Sequence, residues 1–264
     1  MGTQNNPEQP GTAEILTEVE RRRAQARRMS EGRRRAVILA DRFTFWLSRH
    51  WLAILNALAL LYVGLPLLAP VLMHLGAKRS AMTIYTIYRP LCNQLPQRSW
   101  FLFGPQFAYT LPEFEAWLGL DAMSDPLTWI FIGNEAMGYK VALCQRCIAT
   151  YGAIFLFGLF YVLGRRRVRP LPWWAYVGLG LVPMALDGGY QALSYILPRL
   201  HQYFPTSVPA FHITPHETTP LMRTITGALF GLATVWLAYP LIQEVMDECY
   251  ETLQQRLGWG INDQ

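Results

Sequence analysis

Charged residues are scarce in this 264-residue chain: they make up 16% of it, against 52% for apolar residues. This balance is untypical of a soluble domain and indicates a membrane protein. The formal net charge of +5 comes with no aromatic-and-basic nucleic-acid motif, so nucleic acid is not an expected partner. Many of the cations form one run before the first long apolar segment: Arg21, Arg22, Arg23, Arg27, Arg28, Arg33, Arg34 and Arg35. We expect this run to contact anionic lipid, and a membrane-protein partner is a further expectation.

Motifs of the common enzyme classes are also missing. There is no phosphate-binding loop, no GxSxG or HExxH sequence and no dinucleotide fingerprint. Covalent c-type haem is excluded because Ile148 stands where Cys-x-x-Cys-His requires histidine. No cleavable signal peptide is visible, so the first apolar helix should act as an uncleaved anchor. The motifs therefore leave open whether the protein is an enzyme.

Long apolar runs, by contrast, are plentiful. A hydrocarbon core of roughly 30 Å takes about 20 apolar residues to cross. Four segments are long enough: residues 51–75, 144–163, 171–197 and 223–245. The sequence therefore predicts an all-α membrane protein, a bundle of four transmembrane helices.

Arginines also indicate the orientation of the bundle. The N-terminal run and the short connection that holds Arg165, Arg166, Arg167 and Arg169 should both be cytoplasmic under the positive-inside rule. We expect a protein of the cell (inner) membrane with both termini in the cytoplasm. It would comprise a basic arm over residues 1–50, a transmembrane domain over 51–247 and a tail over 248–264. The amphipathic helix of the arm would either lie in the headgroup plane before the chain turns inward, or be solvated.

The connection over residues 76–143 would then be an extracytoplasmic cap. Residues 81–88 are apolar but too short to span, which favours an interfacial or re-entrant segment. Residues 112–120 resemble a short helix. The β-prone stretches 128–133 and 138–143 flank a connection of hairpin length, so we predict a β-hairpin that leads into the second span.

Three of the four cysteines would lie on the oxidising face, and Cys249 on the reducing face. Cys144 and Cys147 form a CxxC pair at the start of the second span, where the helix N-terminus and Arg146 would favour a thiolate. Three interpretations stay open. Cys92 forms a structural disulfide with one of the pair, the three cysteines catalyse thiol–disulfide exchange, or they bind Zn²⁺ together with a histidine. The candidate histidines are His201, His212 and His216.

A second group of polar residues accompanies the later spans. Asp187 lies deep in the third apolar segment, where an acid usually has a partner, and Arg223 is its expected counter-charge. With Arg98, Arg146 and Gln191 these residues would form either a network that fixes helix register or a pocket. The pocket would take a quinone headgroup, a lipid or an anion in arginine forks.

These residues resemble the signature of an uncharacterised prokaryotic membrane-protein family, the domain-of-unknown-function family numbered 2085. The resemblance runs from about Tyr88 to Phe230, with an insertion over residues 108–141 and with Asn93 where the family commonly has histidine. It is carried by Cys92-Asn93-Gln94, Arg98-Ser99-Trp100-Phe101, Gly104, Cys144-x-Arg146-Cys147 and Tyr151-Gly152. The resemblance implies family positions at Asp187, Gln191, Arg223 and Gly227, and it implies membrane location without naming a reaction.

Two functions from different classes follow. The favoured one is a non-catalytic accessory or ligand-binding membrane protein, with Arg98, Arg146, Asp187, Gln191 and Arg223 as binding residues. The alternative is a quinone-linked thiol–disulfide oxidoreductase that uses Cys92, Cys144 and Cys147. Its layout is similar to that of the disulfide-forming membrane oxidases and vitamin K epoxide reductases, which generally use two cysteine pairs. Quinone and Zn²⁺ are accordingly the cofactors considered.

Overall fold

A computed structural model describes residues 12–119, 130–164, 168–204 and 216–257. Contacts divide the chain into two units. The first comprises the residues up to Trp51 and those from Val245 onward; the second is Leu52–Glu244. All residues of the candidate site belong to the second unit.

Helix α1 runs without a break over Thr12–His74, which is 63 residues. The basic stretch and the first apolar run therefore belong to the same helix. Within the first unit, the ring of Phe45 stacks on that of Tyr250 with centroids 4.9 Å apart.

Three helices of the described residues are long and apolar enough to cross a bilayer: Glu31–His74 within α1, α4 (Gln145–Gly164) and Pro220–Gln255 within the last helix. Only 22% of the apolar window of α4 is buried by protein. A helix with so much exposed apolar surface needs a nonpolar surrounding, so the surface fits a lipid environment.

The segment predicted as a third span is helical but divided. Its α-helical pieces are α5 (Trp173–Tyr176), α6 (Val182–Met184) and α7 (Tyr190–Tyr203), joined by π-helical turns over Val177–Leu181 and Ala185–Gly189. Pro183 cannot donate an N–H to the helix ladder, and the wider turns accommodate it. The described residues thus contain three unbroken spanning helices rather than the four that were predicted.

A small sheet follows the first two helices. Its antiparallel strands are β1 (Ser99–Leu102), β2 (Gly133–Asn134) and β3 (Gly138–Cys144), in the order β1-β3-β2. Pairing of Asn134 with Gly138 confirms the predicted hairpin, whereas β1 was not predicted. The short helix is also confirmed as α3 (Leu111–Leu118), which begins with a capping box between Thr110 and Glu113. Residues 120–129, which include parts of both predictions, lie outside the described residues.

Helix α2 (Lys78–Tyr88) packs between α1 and the sheet. Its buried Ala81 and Tyr85 contact Ala69 of α1 and Leu143 of β3 in one apolar core. Cys92 and Cys147 pack against the edge of this core. The core therefore fixes the turn after α2 against the start of α4. The last helix, α8, covers Pro220–Leu257.

Candidate functional site

Three cysteine sulfurs meet where the sheet joins α4. Cys92 follows α2, Cys144 ends β3, and Cys147 lies in the first turn of α4. Their Sγ atoms all lie within 4.8 Å of one another, each side chain is half-buried, and each is a free thiol. The structure thus brings together the three cysteines singled out in the sequence, but it contains no disulfide between them.

The sulfur of Cys92 is the best hydrogen-bond acceptor of the three. The thiols of Cys144 and Cys147 donate to it and lower its pKa, and the backbone N–H groups of Gln94 and Cys144 act in the same direction. The Cys144 nitrogen is 3.4 Å from the Cys92 sulfur. Hydrogen bonds to the charged form favour that form, so the surroundings of Cys92 favour its thiolate.

Gln94 and Lys140 hold the Cys92 turn in place. Gln94 adopts the left-handed backbone conformation (φ 51°), which is uncommon for a residue other than glycine and which directs its N–H toward Cys92. Its side chain donates to the Tyr85 carbonyl at 2.9 Å, and its own carbonyl accepts from Lys140 Nζ at 2.6 Å. Lys140 is only 1% exposed. Burial lowers the pKa of Lys140 to about 7, while the charge of Cys92 acts in the opposite direction.

The sequence analysis expected Arg146 to favour a thiolate in the CxxC pair, but in the structure this arginine pairs with an acidic residue. Its guanidinium forms an ion pair with Asp187, and Thr226 donates a further hydrogen bond to the same carboxylate oxygen at 2.9 Å. Asp187 therefore pairs with Arg146 and not with Arg223. The prediction was wrong because both arginines lie near the same helix ends, and linear spacing does not tell which one faces the acid.

Glu217, which the sequence analysis missed, is the centre of the remaining polar residues. Its carboxylate pairs with Arg98 and Arg223. It also accepts hydrogen bonds of 2.6 Å from Gln191 and from Tyr195. The arginine forks predicted to bind an external ligand are therefore occupied by a side chain of the protein. The sequence could have indicated this role, because Arg98, Arg146 and Arg223 carry three positive charges and Asp187 supplies only one negative charge to balance them.

A pocket of about 210 Å³ lies beside this network. Asp187 and Glu217 line its inner wall, and the neighbouring polar residues are His216, Thr218 and Thr219. The outer wall is formed by Leu186, Tyr190 and Met222, which are 69%, 53% and 51% exposed. The rings of Tyr190 and His216 lie with their centroids 5.2 Å apart. The pocket thus has two partly buried carboxylates in its wall, and its exposed lining is mixed, with His216 and Thr219 beside the three apolar or aromatic side chains.

Helices α4 and α8 approach each other closely beneath the cysteines. A Cβ on Gly227 would lie 2.6 Å from the Arg146 carbonyl oxygen, and one on Gly231 would lie 2.2 Å from that of Thr150. Small residues four apart allow such backbone contact between membrane helices. This contact positions Arg146, and with it the ion pair to Asp187.

The predicted histidine ligands do not join the thiols. Among the described residues, the group of potential metal ligands around Cys92 contains only the three cysteines, without His201 or His216. His212 lies outside the described residues. Within the described part of the chain, the candidate ligand set therefore comprises three sulfurs.

The fold and the thiol cluster define a helical membrane protein with a cysteine site at the start of one apolar helix. Residues 135–237 match the family described as "Predicted membrane protein (DUF2085)", the family whose signature the cysteine blocks resemble. The match includes Cys144, Cys147 and Glu217, whereas Cys92 and Arg98 precede it.

The chain is also similar to an uncharacterised protein of Methanocaldococcus jannaschii. The two are 22% identical over 208 residues, which is 76% of this chain and 97% of that protein. No solved structure matches the chain. The comparisons therefore support a membrane protein without assigning an activity.

Proposed function

We propose that this is a non-catalytic, ligand-binding protein of the cell membrane, whose pocket beside Glu217 takes the headgroup of a membrane-dissolved amphiphile. The observation that carries the proposal is the pocket of about 210 Å³, whose exposed lining contains, beside the polar His216 and Thr219, the side chains of Leu186, Tyr190 and Met222. These three side chains belong to apolar helical segments and are more than half exposed. A lipid-soluble molecule would reach the pocket along that surface.

The charges around the pocket favour a neutral headgroup. Asp187 is paired with Arg146, and Glu217 with two arginines, so a cationic ligand finds no unpaired carboxylate. An anion would meet two carboxylates in the wall. The hydroxyl groups of Thr218 and Thr219 and the ring of His216 can donate hydrogen bonds to a carbonyl. A quinone headgroup, flat and rich in carbonyl acceptors, would stack on the outside of the Tyr190–His216 ring pair, whose centroids are 5.2 Å apart.

For the arrangement in the membrane, we propose four spans with both termini in the cytoplasm. Residues 173–203 supply the fourth, since their α- and π-helical turns follow one another without a gap. Arginines before the first span and after α4 support this orientation. The cap, the thiols and the pocket would then face outward. The exposed Arg33, Arg34 and Arg35 would contact anionic headgroups of the inner leaflet.

The test is binding of a short-chain quinone, decylubiquinone, to the purified full chain in detergent, measured as a ligand-dependent rise in Tm. Tyr190→Ala and His216→Ala should each weaken binding about fivefold, because each removes a ring contact worth about 1 kcal/mol. Tyr203→Ala is the matched control, since Tyr203 lies on the same helix α7 and is 76% exposed. Binding that is absent from the wild type, or equal in all variants, would refute the proposed ligand.

Thiol–disulfide exchange with a quinone is the second candidate function. One observation favours it: Arg146, which pairs with Asp187 of the pocket, lies between Cys144 and Cys147. Two thiols would give two electrons and two protons to the quinone, leaving a disulfide and a quinol. This function requires that quinone addition oxidise a thiol pair, which counting thiols before and after addition would detect.

A further inference from the structure

The three cysteines have a feature that the proposed ligand pocket does not use. Their sulfurs come from three separate elements, yet all lie within 4.8 Å of one another. A disulfide joins only two sulfurs and would leave the third half-buried beside it. Three sulfurs that surround one point are instead arranged in the way that ligands surround a single metal ion.

The spacing suits a thiophilic metal ion. With Zn–S bonds of about 2.3 Å, tetrahedral ligands lie about 3.8 Å apart. The sulfurs of Cys92, Cys144 and Cys147 therefore need to move inward by less than about 1 Å on average, which side-chain rotation provides. Iron–sulfur clusters take four cysteines, and the chain's fourth, Cys249, is not part of this group.

Groups around the Cys92 sulfur favour the thiolate form that metal binding requires. Backbone N–H groups of Gln94 and Cys144 point at the Cys92 sulfur. Cys147 lies in the first turn of α4, where the helix dipole favours negative charge. Such hydrogen bonds to ligand atoms orient them and adjust their basicity.

Lys140 indicates the charge of the ion. A divalent ion with three thiolates carries one net negative charge, and Lys140, which donates to the Gln94 carbonyl at 2.6 Å, would supply the opposite charge in its ammonium form, which negative charge at Cys92 favours. Together they are neutral, which is the least costly state for a buried group of charges. With a monovalent ion such as Cu⁺ one negative charge would remain.

We infer that Cys92, Cys144 and Cys147 bind one Zn²⁺ ion through three thiolates, with a fourth coordination position left for water or an exchangeable ligand. The inference is independent of the quinone pocket. It also gives a reason for three neighbouring cysteines without a disulfide between them: sulfur bound to Zn²⁺ is protected from oxidation.

The test measures metal content of the full chain purified from cells in detergent without chelator. Wild type and Cys249→Ser should each retain about one Zn²⁺ per chain. Cys92→Ser, Cys144→Ser and Cys147→Ser should each lose at least most of it. Metal that stays in all three variants would overturn the inference, as would Cu⁺ in place of Zn²⁺ or a metal-free protein with a Cys144–Cys147 disulfide.

A second measurement keeps the inference testable where the serine variants fail to fold. Removing metal from the wild type with a strong chelator should expose three further thiols to maleimide, and adding Zn²⁺ should protect them again. Co²⁺ in place of Zn²⁺ should give thiolate-to-metal absorption. Thiol reactivity that is unchanged by chelator would overturn the inference. None of these results depends on quinone binding, so either proposal can fail alone.

Discussion

Asp187 and Arg146 form an ion pair between a π-helical turn and the first turn of α4, and Thr226 of α8 adds a hydrogen bond to the same carboxylate. The side chains are 9% and 18% exposed. One carboxylate thus links three helical segments. The ion pair and the hydrogen bond offset the free-energy cost of placing an acidic side chain within an apolar segment.

The pair predicts a specific pattern of mutant stabilities. Asp187→Ala should destabilise the protein by about 3–5 kcal/mol because it leaves Arg146 without its counter-charge. Replacing both partners, as in Arg146→Met with Asp187→Leu, should cost much less. The combination of Asp187→Leu with Arg223→Met should remain costly, since it leaves both Arg146 and Glu217 with fewer partners. Thermal unfolding in detergent measures the differences, and the assignment fails if the second combination is the milder.

Glu217 gives a second prediction. Glu217→Gln removes the negative charge that Arg98 and Arg223 share, so we expect a loss of about 3 kcal/mol or more in unfolding free energy. Glu135→Gln is the control, because Glu135 lies exposed in the turn between β2 and β3. Equal stability of the two variants would show that the carboxylate has no structural role.

Close packing of α4 and α8 gives a third prediction. Gly227→Ala and Gly231→Ala should each destabilise by about 1–3 kcal/mol, because the new methyl group meets the backbone of α4. Gly152→Ala should be neutral or slightly stabilising, since no atom lies within 4 Å of its Cβ position and alanine favours helix. The same unfolding measurements apply, and a loss at Gly152 as large as at Gly231 would contradict the packing.

The proposed orientation can be tested with a membrane-impermeant maleimide on intact cells. In a Cys249→Ser background, Phe107→Cys should add one labelled thiol, because Phe107 is 73% exposed in the cap. In the wild type, Cys249 should react only after the cells are opened. Labelling of Cys249 in intact cells would reverse the topology and place the cysteine site in the cytoplasm.

Local signals in the sequence predicted the elements with strong periodicity or turn chemistry. The apolar runs around α4 and α8, the short helix α3 and the hairpin before Cys144 were all predicted. Strand β1 was missed, because its four residues have no pattern apart from their pairing with β3. The division of residues 173–203 into α and π turns likewise depends on how Pro183 is accommodated.

The sequence analysis predicted most residues of the site, but not which of them pair with each other. All three cysteines and the five polar residues belong to the observed clusters, since buried polar groups in an apolar chain are few. The partners of Asp187 and the central position of Glu217 depend on which helix faces turn toward each other. Contacts between residues that are distant in the sequence, such as that of Gly227 with Arg146, decide which helix faces meet. A single sequence does not show these contacts.

The position of Glu217 has a consequence for biogenesis. Its four partners come from the cap (Arg98), from α7 (Gln191 and Tyr195) and from α8 (Arg223), so they are synthesised at widely different times. Until the last helix has been inserted, Arg98 has no carboxylate to pair with. A half-assembled chain therefore shows unpaired cations at the membrane, where cellular proteases and chaperones can distinguish it from the finished protein.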